Sequence, residues 1–214
     1  MIEGGVRYGA ILADPPWHTE TWSSKGRDRC PDGRRAINGM TSPEARHYET
    51  MSLTDLMALP VEDAAANDCR LFMWTTDSHL PQALDLGVAW GFRYSTVAFV
   101  WNKVTGHGKP FFGGGKATRK GAELCLLFLR GSLDRRSGSV RQVITAPVRE
   151  HSRKPDEIYD RIECLVAGPY LEMFARTQRE GWHQWGDQTG RWHARSMIGE
   201  AVRTPVSVSQ LVLL

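Results

Sequence analysis

Residues 8–17 of this chain read YGAILADPPW, a short apolar run followed by one carboxylate, two prolines and an indole. The continuous apolar stretch 8–13 is typical of a strand buried on both faces of a parallel sheet. Pro15 and Pro16 hold their φ angles at about −65° and donate no backbone hydrogen bond. We therefore expect an extended turn without internal hydrogen bonds, whose carbonyls are free to accept from another molecule.

The turn carries the groups that suit an exocyclic amine on a planar ring. Asp14 only accepts hydrogen bonds when it is ionised, and Trp17 offers a flat apolar face with one donor at its rim. A carboxylate, a peptide carbonyl and a stacking surface together match adenine N6 or cytosine N4. A strand that merely ends at an aspartate and turns at prolines is the alternative at this stage.

The composition predicts one soluble globular domain. The chain has 214 residues, of which 41% are hydrophobic and 24% charged. The longest apolar stretch, residues 124–129, is too short to span a bilayer, and the N-terminus has no secretory pattern, so we expect a cytoplasmic protein. Scattered cysteines predict reduced, mostly buried thiols, and the histidines lack ligand spacing, so we expect no metal.

The net charge of +3 conceals a strong segregation of charge. Residues 23–40 carry a net +3, and residues 103–120 and 130–154 carry +5 each, so the rest of the chain is net −10. Basic runs are often only solvated surface. Three of them in predicted loops indicate a phosphate-binding face on an otherwise acidic body.

Strand and helix patterns alternate along the chain. The predicted strands are 8–13, 70–74, 92–101, 123–129, 140–145, 170–175 and 182–185. The predicted helices run from Ser52 to Pro60, over 79–90, and from Pro155 to Gly168. This order predicts an α/β fold, a mostly parallel sheet with helices on both faces. We expect a single domain over 1–190 and a poorly ordered tail over 191–214.

Five blocks carry a resemblance to a known family. They are residues 13–17 (ADPPW), 47–52 (HYETMS), 151–159 (HSRKPDEIY), 170–176 (YLEMFAR) and, more weakly, 185–188 (WGDQ). In this order they resemble the MT-A70 family of S-adenosylmethionine-dependent adenine-N6 methyltransferases. The resemblance implies a Rossmann-like class I methyltransferase fold in circularly permuted order. It also agrees with the absence of a G-x-G-x-x-G motif, and we interpret the glycines at 113–115 as flexibility in a substrate loop.

The resemblance assigns the catalytic tetrapeptide to the turn after the first strand. Asp14 and the Pro15 carbonyl would accept the two N6 hydrogens of adenine, and Pro16 completes the motif. The amine nitrogen would then become more pyramidal and point its lone pair at the methyl group, so that catalysis rests mainly on alignment. Trp17 would form a wall of the base pocket.

The resemblance also implies a cofactor site for S-adenosylmethionine. Lys154 would lie between cofactor and substrate, and the segment around residues 170–176 would end at the cofactor, as ligands bind beyond the carboxyl ends of strands. The family often has Asn-Gln where this chain has Asp-Gln at 187–188. The predicted cofactor residues are Lys154, Glu172, Phe174, Arg176, Gln178, Asp187 and Gln188.

The predicted substrate residues fall into two groups. Tyr48, Trp101 and Lys103 match positions near the target pocket of the family, with packing in the core as the alternative for Trp101. The basic loops would hold phosphates in a mostly sequence-neutral way. Their candidate residues are Lys25, Arg27, Lys116, Arg119 and Lys120.

These expectations lead to a DNA adenine-N6 methyltransferase that acts on a flipped or single-stranded base, since a stacked adenine is out of reach. We expect a short or relaxed target sequence. An RNA adenine-N6 methyltransferase, a non-catalytic nucleic-acid-binding subunit and a cytosine-N4 enzyme are the alternatives. A homodimer is one assembly that the sequence allows.

Overall fold

Strand β1, Tyr8–Ala13, lies near the middle of a seven-stranded sheet. The computed structural model describes residues 5–17, 50–114, 117–132, 136–150, 153–186 and 188–194. The other strands are β2 (Ala65–Thr75), β3 (Arg93–Val104), β4 (Ala122–Arg130), β5 (Val143–Pro147), β6 (Tyr170–Met173), β7 (Thr177–Gln178), β8 (Trp182–Trp185) and β9 (Trp192–His193). The α-helices are α1 (Leu53–Met57), α2 (Val61–Ala64), α3 (Leu80–Ala89) and α4 (Glu157–Leu165).

The strand order in the large sheet is β5-β3-β4-β2-β1-β6-β8. Strand β4 runs antiparallel to both of its neighbours, and every other pairing in this sheet is parallel. The carboxyl ends of β1, β2, β3 and β6 therefore meet at one edge of the sheet, together with the beginning of β4. The expected α/β fold with a mostly parallel sheet is confirmed.

Alternate side chains of the central strands face two separate hydrophobic clusters. Ile11 of β1 and Met73 of β2 pack on the side of α3, together with Leu86 of that helix. Leu12 and Trp74 point to the opposite side, toward α4. Helices therefore cover both faces of the sheet. In β1, Ile11 and Ala13 face the α3 side, whereas Ala10 and Leu12 face the α4 side.

Local signals explain where the helices begin. The Ser52 hydroxyl accepts a hydrogen bond from the Asp55 backbone N–H at 3.1 Å and so caps α1, as the sequence predicts. Helix α4 begins at Glu157, two residues after Pro155, with Asp156 as its N-cap. Acidic side chains in its first turn favour the positive end of the helix dipole.

Three strand predictions are wrong in their bounds, and the strand predicted over 70–74 begins earlier, at Ala65. The strand predicted over 170–175 ends at Met173, because Phe174 has a φ of 60°, which no extended strand allows. The strand predicted over 140–145 lies at Val143–Pro147. Trp192 and His193, where the sequence showed no pattern, form β9 and pair in parallel with β7.

Three cysteines lie within the described residues. Cys69 and Cys125 are buried and Cys164 is partly buried, all as free thiols. Burial raises the pKa of Cys69 to about 12, so this thiol stays protonated. In the described part of the chain no helix is long and apolar enough to cross a membrane.

We predict that Gly87→Ala destabilises the fold by about 1–3 kcal/mol. A Cβ at Gly87 in α3 would lie 2.1 Å from the ring of Phe128, which is fully buried and cannot move aside. Gly106→Ala is the control, since its Cβ would meet nothing within 4 Å. Denaturant unfolding of both variants measures the difference. A more stable Gly87→Ala, as helix propensity alone predicts, would contradict this close approach of helix and sheet.

Candidate active site

A cleft opens at the edge of the sheet where β1, β2 and β6 end. It lies on the α4 side, because Asp14 continues the alternation of Ala10 and Leu12 in β1. Charged and aromatic side chains dominate its wall. The lining residues are Leu12, Asp14, Trp74, Arg153, Lys154, Ile158, Tyr159, Glu172, Phe174, Arg176, Thr177 and Trp192.

The turn after β1 is more tightly bonded than the sequence predicts. The Trp17 backbone N–H donates to the Pro15 carbonyl at 2.8 Å, and the Met51 N–H donates to the Pro16 carbonyl at 3.1 Å. The expectation of free carbonyls without internal bonds is therefore wrong. Each carbonyl oxygen has two lone pairs, so the Pro15 oxygen still has the capacity for a second donor.

Trp17 leaves the turn toward a different surface from the cleft. Its indole stacks on the His79 ring with centroids 5.6 Å apart and planes 11° from parallel. His79 is held in turn by the Thr76 hydroxyl, 2.9 Å from its Nδ1. No acceptor among the described residues bonds the buried Trp17 Nε1. The turn thus has two sides, with Asp14 on the cleft and Trp17 on the loop after β2.

A chain of alternating charges runs through the site. Lys154 Nζ lies 2.7 Å from Asp14 Oδ2 and 3.4 Å from Glu123 Oε2. The other oxygen of Glu123 bonds Lys103. Arg176 approaches Asp14 Oδ2 at 3.7 Å. Four elements of the fold therefore meet through ion pairs, since Asp14 follows β1, Glu123 begins β4, Lys103 ends β3 and Lys154 precedes α4.

Their ion-pair partners hold Lys154 and Glu123 in their charged forms. Burial acts to lower the pKa of Lys154, but Asp14 and Glu123 outweigh it and raise the pKa above its ordinary value. Burial acts to raise the pKa of Glu123, and the Lys154 and Lys103 ammonium groups bring it below its ordinary value. At neutral pH, Lys154 is thus a cation and Glu123 an anion.

Lys154 is positioned by an arginine that lies five residues before it. The Arg149 guanidinium donates to both carboxylate oxygens of Asp156 at 2.8 Å and to the Lys154 carbonyl at 2.6 Å. Such a bidentate pair fixes both distance and orientation. Arg149 therefore holds Lys154 and Asp156, just before α4, in the arrangement that directs Lys154 at Asp14.

Glu172 is a partly buried acid of the cleft. The Tyr159 hydroxyl donates to Glu172 Oε2 at 3.0 Å. Burial raises the pKa of Glu172 to about 8, with Asp14 adding to the effect, while Tyr159 and Arg176 oppose it. A protonated carboxyl both donates and accepts, so at neutral pH Glu172 can bond a hydroxyl pair.

Phe174 and Arg176 form the far wall. Phe174 adopts a left-handed φ of 60°, a strained conformation that the surroundings must enforce. Its ring packs edge-on against Trp185 at 5.4 Å, and Gly186 lies so close that an added Cβ would be 2.8 Å from the Phe174 carbonyl carbon. This packing ends β6 and directs the chain across the cleft.

Trp192 of β9 completes this wall. Its backbone N–H donates to the Arg176 carbonyl at 3.0 Å. Three guanidinium carbons lie 5.0 to 5.2 Å from the indole ring, those of Arg153, Arg176 and Arg191. Cation–π contacts of this kind orient the arginines. Trp192 thus holds Arg176 where it reaches Asp14.

The structure brings most of the predicted cofactor residues to the cleft. Lys154, Glu172, Phe174 and Arg176 line it together with Asp14. The Gln178 side chain is exposed, although its neighbour Thr177 lines the cleft. Gln188 Oε1 accepts from Arg191 at 2.9 Å, beside the Trp192 wall.

The predicted substrate residues are more dispersed. Trp101 is buried in the core with its indole bonded to the Ala146 carbonyl at 2.9 Å, and Lys103 lies 4.7 Å from its ring centre. Arg119 is exposed, and Lys120 pairs with Asp77. The remaining substrate candidates, Lys25, Arg27, Tyr48 and Lys116, lie outside the described residues, as does the cofactor candidate Asp187.

Sequence reasoning missed four residues of this site. Glu123 resembles an ordinary strand residue, and Trp192 stands in a segment without periodicity. Arg149 was counted only as part of a basic run. Trp74 was interpreted as a buried strand residue, yet it lines the cleft, and its buried Nε1 bonds no acceptor among the described residues. The polar start of an otherwise apolar strand was the one available signal for Glu123.

The fold and the cleft define a Rossmann-like methyltransferase. A sequence profile described as MT-A70 matches residues 8–188. The chain belongs to the MT-A70 family and is an adenine-N6 methyltransferase. Methyltransferases of this family use S-adenosylmethionine. The described residues hold no group of three or more His, Cys, Asp or Glu side chains that would bind a metal ion.

Three relatives illustrate the range of the family. Type II methyltransferase M.MunI of a Mycoplasma species is 35% identical over 187 residues, which cover 84% of this chain and 77% of that protein. The N6-methyladenosine RNA methyltransferase MTA1 of Cryphonectria parasitica is 28% identical over 85% of this chain and 51% of its own length. The N(6)-adenine-specific methyltransferase METTL4 of Mus musculus is 25% identical over 88% of this chain and 39% of its own length. This chain spans about half or less of these two eukaryotic relatives.

We predict that Glu172→Gln changes the pH dependence of stability. The raised pKa means that the folded protein binds a proton between the ordinary value of 4.5 and about 8. The contribution of Glu172 is complete below that window and is lost as the pH rises through about 8. The unfolding free energy of the wild type relative to the variant should fall by roughly 3 kcal/mol between about pH 5 and about pH 8.

Denaturant titrations at several pH values measure this difference. Glu62→Gln at an exposed glutamate is the matched control for loss of a surface carboxyl. Parallel stability curves for the wild type and Glu172→Gln would show that Glu172 ionises in the folded protein as it does in water.

Proposed function

We propose that this enzyme transfers a methyl group from S-adenosylmethionine to adenine N6 in DNA, on a base that is flipped out or already single-stranded. The observation that carries the proposal is the position of Asp14. Its carboxylate lies at the mouth of a charged cleft, 2.7 Å from Lys154, and directly before the Pro15 carbonyl. Two acceptors in sequence at the end of a rigid strand suit the two hydrogens of an exocyclic amine.

The residues of the cleft fit the proposed cofactor. Lys154 and Arg176 suit its carboxylate, whereas Asp14 and Glu172 suit its ammonium and hydroxyl groups. The aromatic rings of the far wall suit an adenine. The buried Trp74 Nε1, which bonds no acceptor among the described residues, is a donor that a bound ligand would satisfy.

The bound cofactor supplies a methyl group that its sulfonium already activates. The protein's task is therefore alignment. Asp14 and the Pro15 carbonyl would accept the N6 hydrogens and hold the nitrogen lone pair toward the cleft. Lys154 fixes the Asp14 carboxylate from behind, and Glu123 fixes Lys154 in turn. Because two cations contact Asp14 Oδ2, we assign this residue the role of orienting the amine rather than that of a strong base.

DNA is the polymer that we favour. The relative that this chain matches over most of both sequences is a bacterial Type II methyltransferase, 77% of which is covered. The basic stretches at 23–40 and 103–120 would hold the phosphate backbone. An RNA substrate is the second candidate, supported by the similarity to the RNA methyltransferase of Cryphonectria parasitica.

We predict that Asp14→Asn lowers methyl transfer by at least about 100-fold, since one acceptor becomes partly a donor and loses its charge. The assay uses labelled S-adenosylmethionine with native DNA, denatured DNA and RNA, followed by digestion to nucleosides. Asp85→Asn, the same change at an exposed residue of α3, should retain full activity.

Each product has one meaning in this assay. N6-methyldeoxyadenosine from DNA supports the proposal. If only RNA gives a product, N6-methyladenosine, then the substrate is RNA and not DNA. N4-methyldeoxycytidine would overturn the choice of base. An Asp14→Asn variant as active as Asp85→Asn would overturn the role of the turn.

We predict that Trp192→Ala weakens binding of S-adenosylmethionine by about 5- to 10-fold, since Arg176 loses the ring that orients it. Calorimetric titration of the folded variant measures the change. Trp192→Phe keeps an aromatic face and should bind nearly as the wild type does. Equal affinity of all three proteins would mean that β9 takes no part in the cofactor site.

A further inference from the structure

The described residues of the basic loop, 103–114 and 117–121, are bonded to one another next to the edge that carries the active site. The Lys103 N–H donates to the Gly121 carbonyl at 2.8 Å, and the Phe111 N–H donates to the Lys103 carbonyl at 3.1 Å. The Gly113 N–H donates to the Lys120 carbonyl at 2.7 Å. Backbone bonds therefore hold the chain on both sides of Phe112.

Phe112 points into solvent at the middle of this braced segment. It is 69% exposed, more than any other large hydrophobic side chain among the described residues. Its neighbours differ, since Phe111 is partly buried and a Cβ on Gly113 would lie 3.2 Å from the Lys120 carbonyl oxygen. A single exposed apolar side chain is common on protein surfaces, but this one stands on a backbone that is bonded on both sides, within a cationic stretch.

The basic loop lies beside the side of the turn that carries Trp17. Lys120 pairs with Asp77 and bonds the Ser78 hydroxyl at 3.2 Å. The next residue, His79, stacks on Trp17. At the base of the loop, Lys103 contacts Glu123, which contacts Lys154. Two independent sets of contacts thus tie the position of Phe112 to the active site.

The charge of the loop identifies the kind of partner. Residues 103–120 contain five cationic side chains and no acid. Lys109 and Arg119 are exposed. An exposed aromatic ring within a cationic stretch of sequence suits a polyanion with stacked apolar interiors, and duplex nucleic acid has this character.

We propose that Phe112 inserts into duplex DNA and fills the stacking position that the target adenine leaves when it is extruded. The inference rests on the proposed function. Extrusion breaks two stacking contacts and a base pair, and an inserted ring replaces part of that stacking. Phe112 is thereby a determinant of duplex substrates, whereas a single strand needs no such replacement.

The test compares native and heat-denatured forms of one unmethylated amplified DNA as methyl acceptors. Phe112→Ala should lose about ten-fold in rate on native DNA and less than about two-fold on denatured DNA. Phe112→Trp should retain the native-DNA rate within about two-fold, because a larger ring also stacks. Val88→Ala removes a 64% exposed apolar side chain from the last turn of α3 and should change neither rate.

Other results overturn the proposal in distinguishable ways. Equal losses by Phe112→Ala on both forms, or no loss on either, contradict insertion while leaving the methyltransferase assignment intact. A shift of Phe112→Ala from dimer to monomer in size-exclusion chromatography would assign the ring to a contact between copies. If the wild type methylates denatured DNA or RNA but not native DNA, duplex DNA is not a substrate and the proposed insertion of Phe112 is wrong. A wild type that methylates none of them contradicts the proposed function itself.

Discussion

The ion pair between Lys154 and Asp14 is the contact on which the arrangement of the active site depends. It joins the end of β1 to the segment before α4, and Glu123 extends it to β4. Charges in a partly buried place are costly unless each has a partner. Removal of one member would leave a charged neighbour without its partner. The positions of the site residues and the packing of the sheet edge therefore depend on each other.

The direction of β4 makes this charge chain feasible. Since β4 is antiparallel to β2 and β3, its first residues lie at the edge where those strands end. Glu123 reaches the site for this reason. A parallel β4 would carry Glu123 to the opposite edge, and Lys103 and Lys154 would lose the carboxylate that lies between them. The reversed strand is thus an electrostatic requirement of the site as well as a topological feature.

Local chemistry made part of this molecule predictable. An apolar run and the Ser52 cap are short-range signals, and strand β1 and helix α1 lie at the residues that they predict, whereas the role of Lys154 comes only from the family resemblance. Glu123 and Trp192 depend on which strands become neighbours, and no short window contains that information. The left-handed φ of Phe174 depends on the close packing of Gly186, twelve residues away. The expectation of a free Pro16 carbonyl is wrong for the same reason, since Met51 comes from a distant segment, whereas the Pro15 carbonyl accepts from the nearby Trp17 N–H.

The turn after β1 separates two surfaces, and the proposed function gives each of them a different task. Asp14 faces the cleft with the even-numbered residues of β1, where β6, α4 and β9 provide a charged wall that suits one invariant cofactor. Trp17 faces the opposite way, toward His79 and the basic loop, which is joined to the site through a few polar contacts. Because the loop is braced by its own backbone bonds, its exposed residues can change without disturbing the cleft. Polymer choice and target sequence would then vary on one side of the turn while the methyl-transfer chemistry stays constant on the other.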